Sequence, residues 1–193
     1  MPSNKTELAA RLALTRPNDG VRGVFFRVVL EFIRQQGGAE ALRQVLAGMQ
    51  TQDIKDLRTS PAADYLRMLY GAADVLEPTL RSPDAVFNAC GRACVRHFAS
   101  GPGQVVFGIL GRGDPQRLFA QTRMAFSTVV TYGQREHHVS GPKSCILTYR
   151  GDMQPAAYHV GIFEGALESL GFKGQVFANP LGLDSVDYAI HWD

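Results

Sequence analysis

Near residue 131 the spacing of apolar side chains changes from every third or fourth position to every second, which splits the chain into a helical part and a later part containing strands. In the first part, Val24, Phe25, Val28, Val29, Phe32 and Ile33 fall on one helical face from Val21 onward. That run stops at Gly37-Gly38, where glycine accommodates a left-handed cap. Ala41, Leu42, Val45 and Leu46 repeat the pattern from Ala39 to Met49. Ser60-Pro61 opens a helix that turns Tyr65, Leu66, Leu69, Tyr70 and Ala73 inward and is expected to end or kink at Leu76-Glu77-Pro78. Ser82-Pro83-Asp84 opens the next, which reads to about Ser100 before Gly101-Pro102-Gly103 breaks it. Asp114-Pro115 caps one more, with Leu118, Phe119, Met124, Ala125 and Val129 on its apolar side. Ahead of all these, Thr6 caps a short helix through Leu14, and Arg16-Pro17-Asn18-Asp19-Gly20 forms a linker.

In the second part, Tyr132 to Val139 and Cys145 to Arg150 read as a hairpin around Ser140-Gly141-Pro142, closed by Gly151-Asp152. Pro155 to Leu170 is helical with Gly171 as its cap. Gln175 to Ala178 is a short strand followed by an Asn179-Pro180-Leu181-Gly182 turn. Val186, Tyr188, Ile190 and Trp192 then alternate with Asp187, Ala189 and His191, a strand with one apolar face. The order strand, strand, helix, strand, strand predicts a four-stranded antiparallel sheet covered on one face by helices, so the fold class is α+β. At 193 residues the expectation is an N-terminal extension over 1–20 and one domain over 21–193, with helices and sheet sharing a single apolar interior.

Composition narrows the classes of function. Twenty basic against 18 acidic residues leave a net charge of +2, too weak to argue for nucleic acid. No apolar run approaches the roughly 20 residues of a membrane span, and Met-Pro-Ser-Asn-Lys-Thr-Glu lacks the apolar core of a secretory signal, so a cytoplasmic location is expected. Three cysteines, an odd number, read as reduced thiols.

Several motifs together carry a resemblance. They are Val21-x-Gly23-Val24-Phe25-Phe26, the Tyr65 to Pro78 helix, Gly91-Arg92, Gly161-Ile162-Phe163-Glu164-Gly165-Ala166-Leu167, Gly171 and Tyr188-x-Ile190-x-Trp192. Over residues 20 to 192 the chain resembles a myxobacterial paralogous family of unknown function. That family is distantly similar to haem-nitric-oxide-binding domains, vinyl-reductase-type sensors and the Bet-three-type subunits of the TRAPP tethering complex. The resemblance implies a helical layer on a small antiparallel sheet with an apolar pocket between them, which in relatives holds haem, an aromatic effector or a fatty acyl chain. The haem-binding branch marks its site with Tyr-x-Ser-x-Arg and a helical histidine. The nearest text here, Leu147-Thr148-Tyr149-Arg150-Gly151-Asp152, lacks the Ser and the spacing, which leaves His97 and His159 as the histidines on helices. No cofactor is therefore expected.

Other constellations read as structure. Cys90, Cys94 and His97 lie on one side of a helix and, with His137-His138 as distant donors, would supply metal ligands. The stripe Phe87, Gly91, Cys94 and Phe98 instead places Cys94 in the core, with Cys90 and His97 at its border, so no metal is expected. Phe107 to Pro115 is glycine-rich before a helix but lacks a phosphate-loop ending, which leaves Asp114 as a helix cap. No Gly-x-Ser-x-Gly elbow is present. Glu164 and Glu168, one turn apart, read as solvated acids, and Ala157, Gly161 and Gly165 as a smooth face for close packing. The expectation is a non-enzymatic sensor or regulatory domain with a small hydrophobic ligand. Its lining would come from Phe25, Phe26, Val29, Leu69, Phe87, Cys94, Phe98, Phe119 and Ile162. The alternative is an interaction module resembling TRAPP subunits that binds a protein partner or forms a homodimer, and haem-based gas sensing is the third reading.

Overall fold

Gly38 sits at φ 77° and ψ −171°, outside helical space, so the long α2 (Gly23–Ala47) is two helices joined at the glycine pair that the sequence marks as a stop. The computed structural model describes residues 4–51, 53–99 and 113–193. The expected end of the fourth helix near Ser100, the Gly101-Pro102-Gly103 break and most of the Phe107–Gly113 loop lie outside the described residues. α3 (Ala62–Leu80) and α4 (Pro83–Ala99) pack on α2, and α1 (Asn4–Leu14) packs on α3. Two strands, β1 (Gly20–Arg22) and β2 (Thr59–Pro61), tie the start of α2 to the start of α3. Three residues each are too few for a period to show.

The remaining elements are α5 (Pro115–Ala120), α6 (Thr122–Ser127), β3 (Gln134–Gly141), β4 (Ser144–Arg150), α7 (Ala156–Ser169), β5 (Gly174–Gly182) and β6 (Ser185–Trp192). The four later strands form an antiparallel sheet in the order β3-β4-β6-β5, the architecture the period change predicts. Asp114 caps α5 by accepting from the Gln116 N–H.

Three expectations need correction. α3 does not end at Leu76-Glu77-Pro78 but runs past Pro78 to Leu80 and closes on Arg81 at φ 76°. Proline removes only one N–H of the final turn there. The helix after Asp114 is two short ones, because Gln121 interrupts it. Asn179-Pro180-Leu181-Gly182 is not a turn but the second half of β5. Pro180 faces Val186 on an edge strand, where proline is tolerated, and the chain turns at Leu183-Asp184 instead.

The interior also differs from the single apolar centre expected. One cluster fills the space among α2, α3 and α4 and takes in Tyr132, Met153 and Tyr158. A second lies between the inner sheet face (Cys145, Leu147, Tyr149, Val186, Tyr188, Ile190, Trp192) and Phe163, Ala166, Leu167, Leu118 and Phe119. Phe126 and Ile162 pack against both and mark the seam. There α4 and α7 meet backbone to backbone. A Cβ on Gly91 would stand 2.1 Å from the Tyr158 carbonyl oxygen, and one on Gly161 2.0 Å from that of Asn88. Leu8 and Leu12 of α1 rest on the first cluster.

Candidate functional site

α2, α3, α4 and α7 bring together all but one of the nine lining residues. Phe26, Val29, Leu69, Phe87 and Cys94 are buried in the first cluster, and Phe25 and Ile162 are half-buried against it. Phe98, half-buried near the end of α4, has its ring centroid 5.0 Å from that of Phe25. Phe119 stands apart in the second cluster, 6.0 Å from the rings of Phe163 and Trp192.

One turn from Phe98 on α4, Cys94 borders two tyrosines, Tyr65, which the helical pattern turns inward, and Tyr158, which no sequence pattern singles out. The hydroxyls of Tyr65 on α3 and Tyr158 on α7 are 2.7 Å apart, and the Cys94 Sγ lies 3.4 Å from the Tyr158 hydroxyl and 4.0 Å from that of Tyr65. Phe26 packs its edge on the Tyr65 ring at 4.9 Å. Burial pushes both hydroxyls well above the ordinary tyrosine range, and the Cys94 thiol up to about 11. A buried polar cluster thus lies one helical turn along α4 from the half-buried Phe25–Phe98 pair.

A second polar group occupies the seam, and no sequence period points to it. Arg135 on β3 pairs with Asp152, and the Asp152 Oδ2 lies 3.3 Å from the His159 Nε2 on α7. Burial alone would raise the Asp152 carboxyl. His159, Arg135 and the Gln154 N–H together outweigh it and hold the carboxyl well below the usual range. The Arg135 guanidinium carbon stands 4.7 Å over the Phe126 ring and 5.0 Å over Tyr149. Among the described residues, the buried Arg135 Nε, Tyr149 hydroxyl and His159 Nδ1 meet no hydrogen-bond partner. The loop after Asp152 is gripped from the other side. Arg11 of α1 donates to the carbonyls of Met153 at 3.0 Å, Gln154 at 3.3 Å and Leu183, and also to Glu7 and the Tyr70 hydroxyl. Gln154 Nε2 donates to the Tyr132 hydroxyl at 2.9 Å.

The remaining candidates are placed as follows. Cys90 is buried and His97 is exposed, and His137 and His138 lie on β3. Among the described residues no three His, Cys, Asp or Glu side chains are grouped to hold a metal. Glu164 and Glu168 both pair with Arg92, and Glu164 also accepts from Asn88 at 2.9 Å. Two depressions open at the surface away from the lining residues. One of about 330 Å³ lies on the outer sheet face beside Glu136, His138 and Arg150; one of about 280 Å³ lies along α2 beside Leu30, Leu42 and Leu46.

The family described as "Protein of unknown function (DUF2378)" matches residues 14–193. The chain belongs to this family. No curated protein matches the chain. Among solved structures, this DUF2378 protein is similar to an H-NOX protein from S. oneidensis in the Fe(II)NO ligation state. The two are 15% identical, covering 89% of this chain and 99% of that one, with a TM-score of 0.72. It is also similar to the Fe(II) unliganded H-NOX protein from K. algicida, at 11% identity, 89% and 96% coverage and a TM-score of 0.70. At these identities the likeness is one of fold, the fold that the resemblance to haem-nitric-oxide-binding domains implied.

Around His159, the surroundings in this DUF2378 chain do not fit haem. The buried histidine, His159, is enclosed by the rings of Phe126, Tyr149, Tyr158, Phe163 and Tyr188 at 4.9–6.2 Å, and its Nε2 faces Asp152. A porphyrin coordinated there would have to take the place of those rings. Arg135 stands three residues after Tyr132, where the motif requires four, and is ion-paired with Asp152; Arg150 directly follows Tyr149 and pairs with Asp187. Residues 100–112 contain no His, Cys, Met or Tyr.

Proposed function

We propose that this DUF2378 protein is a non-enzymatic sensor or regulatory domain of the cytoplasm that takes a small hydrophobic ligand, an acyl chain or an aromatic, among α2, α3, α4 and α7. One observation supports the reading: the half-buried Phe25–Phe98 pair lies one helical turn along α4 from Cys94, whose thiol meets the Tyr65–Tyr158 hydroxyls. Because those side chains pack against one another, the ligand enters by displacing the Phe25 and Phe98 rings rather than by filling an existing void. Phe126 and Ile162 touch both clusters, so a rearrangement of the helical core is felt across the seam. Native mass spectrometry of the full chain, with an absorption spectrum from the same preparation, tests the reading. A co-purifying apolar molecule without a haem band supports it. A bare polypeptide mass, together with no thermal shift on adding medium-chain lipids or alkylphenols, overturns it.

A second reading, a protein-interaction module, is favoured by the outer sheet face. Ile146, Ala189 and Phe177 lie side by side across β4, β6 and β5, and Phe177 is 57% exposed. Light scattering at high concentration tests self-association: a dimer lost on Phe177→Ser supports it, and a monomer counts against it.

A further inference from the structure

We infer that the ligand of this site carries a neutral hydrogen-bonding head, such as an alcohol, phenol or carbonyl, seated on the Tyr65–Tyr158–Cys94 cluster, and that the site rejects carboxylates. The inference rests on the reading above and specifies its substrate class. Three polar side chains from three different helices converge within an otherwise apolar core, one helical turn along α4 from the Phe25–Phe98 pair. Between them, the hydroxyls and the thiol supply donors and acceptors to each other, so the cluster is satisfied when closed and can exchange an internal partner for an incoming oxygen.

Each member of the cluster is neutral. The groups that bear on the Tyr65 and Tyr158 hydroxyls electrostatically are each other and the thiols of Cys94 and Cys90, and burial holds all four protonated. No cation of that set is available to offset an incoming carboxylate, and an unpaired buried charge is costly. The nearby basic side chains, Arg135 and His159, whose ring lies 5.5 Å from that of Tyr158, both face Asp152. A fatty acid would therefore enter as its neutral form. At pH 8, with a carboxylic pKa of roughly 4–5, that costs about a thousandfold to ten-thousandfold in apparent affinity. An alcohol of the same chain length bears no such cost.

The test is calorimetric titration of the full chain with 1-decanol and with decanoate between pH 6 and pH 8, repeated with Tyr158→Phe and Tyr65→Phe. Decanol should bind at least a hundredfold tighter than decanoate at pH 8, with a pH-independent affinity. The decanoate affinity should rise about tenfold per unit of acidification. At least one of the two variants, checked by circular dichroism for an unchanged fold, should weaken decanol about tenfold while leaving decanoate much less affected. Decanoate binding as tightly as decanol at pH 8 overturns the neutral-head inference but leaves a hydrophobic site standing, as does decanol binding that neither folded variant weakens. If neither probe binds, the ligand site itself is overturned.

Discussion

Arg135 and Asp152 are ion-paired inside the protein, with only 5% and 1% of their side chains exposed, and the pair joins β3 to the loop that leads into α7. His159 faces the same carboxylate, so two basic side chains share one acid at the seam between the cores.

Removing that acid leaves Arg135 buried without its counter-ion. Asp152→Ala is expected to cost about 3–5 kcal/mol in urea unfolding at neutral pH. The pH dependence has a definite sign. The folded-state carboxyl is held below its unfolded value near 3.8, so its contribution is fully present above about pH 5 and is lost as the pH falls through and below 4. The wild-type protein should lose stability across that window, and Asp152→Asn should show a flatter profile there. Equal slopes would contradict the assignment.

Gly161 and Gly165 lie one turn apart on α7 but differ in what a methyl group would meet. At Gly161 a Cβ falls 2.0 Å from the Asn88 carbonyl oxygen on α4, which is backbone and cannot step aside. At Gly165 the nearest atom, Val95 Cβ, is 3.3 Å away. Gly161→Ala should cost about 3 kcal/mol or prevent folding, whereas at Gly165 the roughly 1 kcal/mol that alanine gains in a helix offsets most of the crowding. Thermal melts of the two variants check the contrast.

Arg11 is the clasp that holds α1 to the rest. It reaches the Tyr70 hydroxyl on α3 and the carbonyls of Met153, Gln154 and Leu183, while the apolar contribution of α1 to the first cluster comes from Leu8 and Leu12 alone. Arg11→Ala should destabilise by about 1.5–3 kcal/mol, the range for a hydrogen bond to a charged group. Hydrogen exchange should show faster amides in α1 and at the Leu183 turn before any change in α3.

Cys90, Cys94 and Cys145 are buried as free thiols, and burial raises Cys94 to about 11 and Cys145 to about 12. In the native state at pH 8 none should react with a chromogenic disulfide reagent on the time scale of minutes, and all three should react in denaturant. Rapid labelling of the native protein would contradict this placement.

Elements whose apolar side chains recur over several turns or strand pairs were legible in the sequence: both halves of α2, then α3, α7, β4 and β6. The Gly161 face was also readable, because small residues at a spacing of four need a close neighbour. The three-residue β1 and β2 were too short to show a period, and Pro180 resembled a turn because its tolerance depends on β5 being an edge strand, a property of the assembled sheet. The seam was hidden for a different reason. Arg135 meets Asp152 across 17 positions and Arg11 meets Tyr70 across 59, and polar pairs at such separations leave no periodic signal. Tyr65 reads as core, which is correct for its ring, whereas nothing in the sequence singles out Tyr158; the two hydroxyls meet only when α3 and α7 are packed together.

The most direct test of the central claim is an NMR titration of the isotope-labelled full chain with 1-decanol. Shift changes should centre on Phe25, Phe26, Tyr65, Cys94, Phe98 and Tyr158 and extend through Ile162 toward the seam. Changes confined to the outer sheet face around Ile146 and Phe177, or no changes at all, would contradict the claim that the helical core is the ligand site.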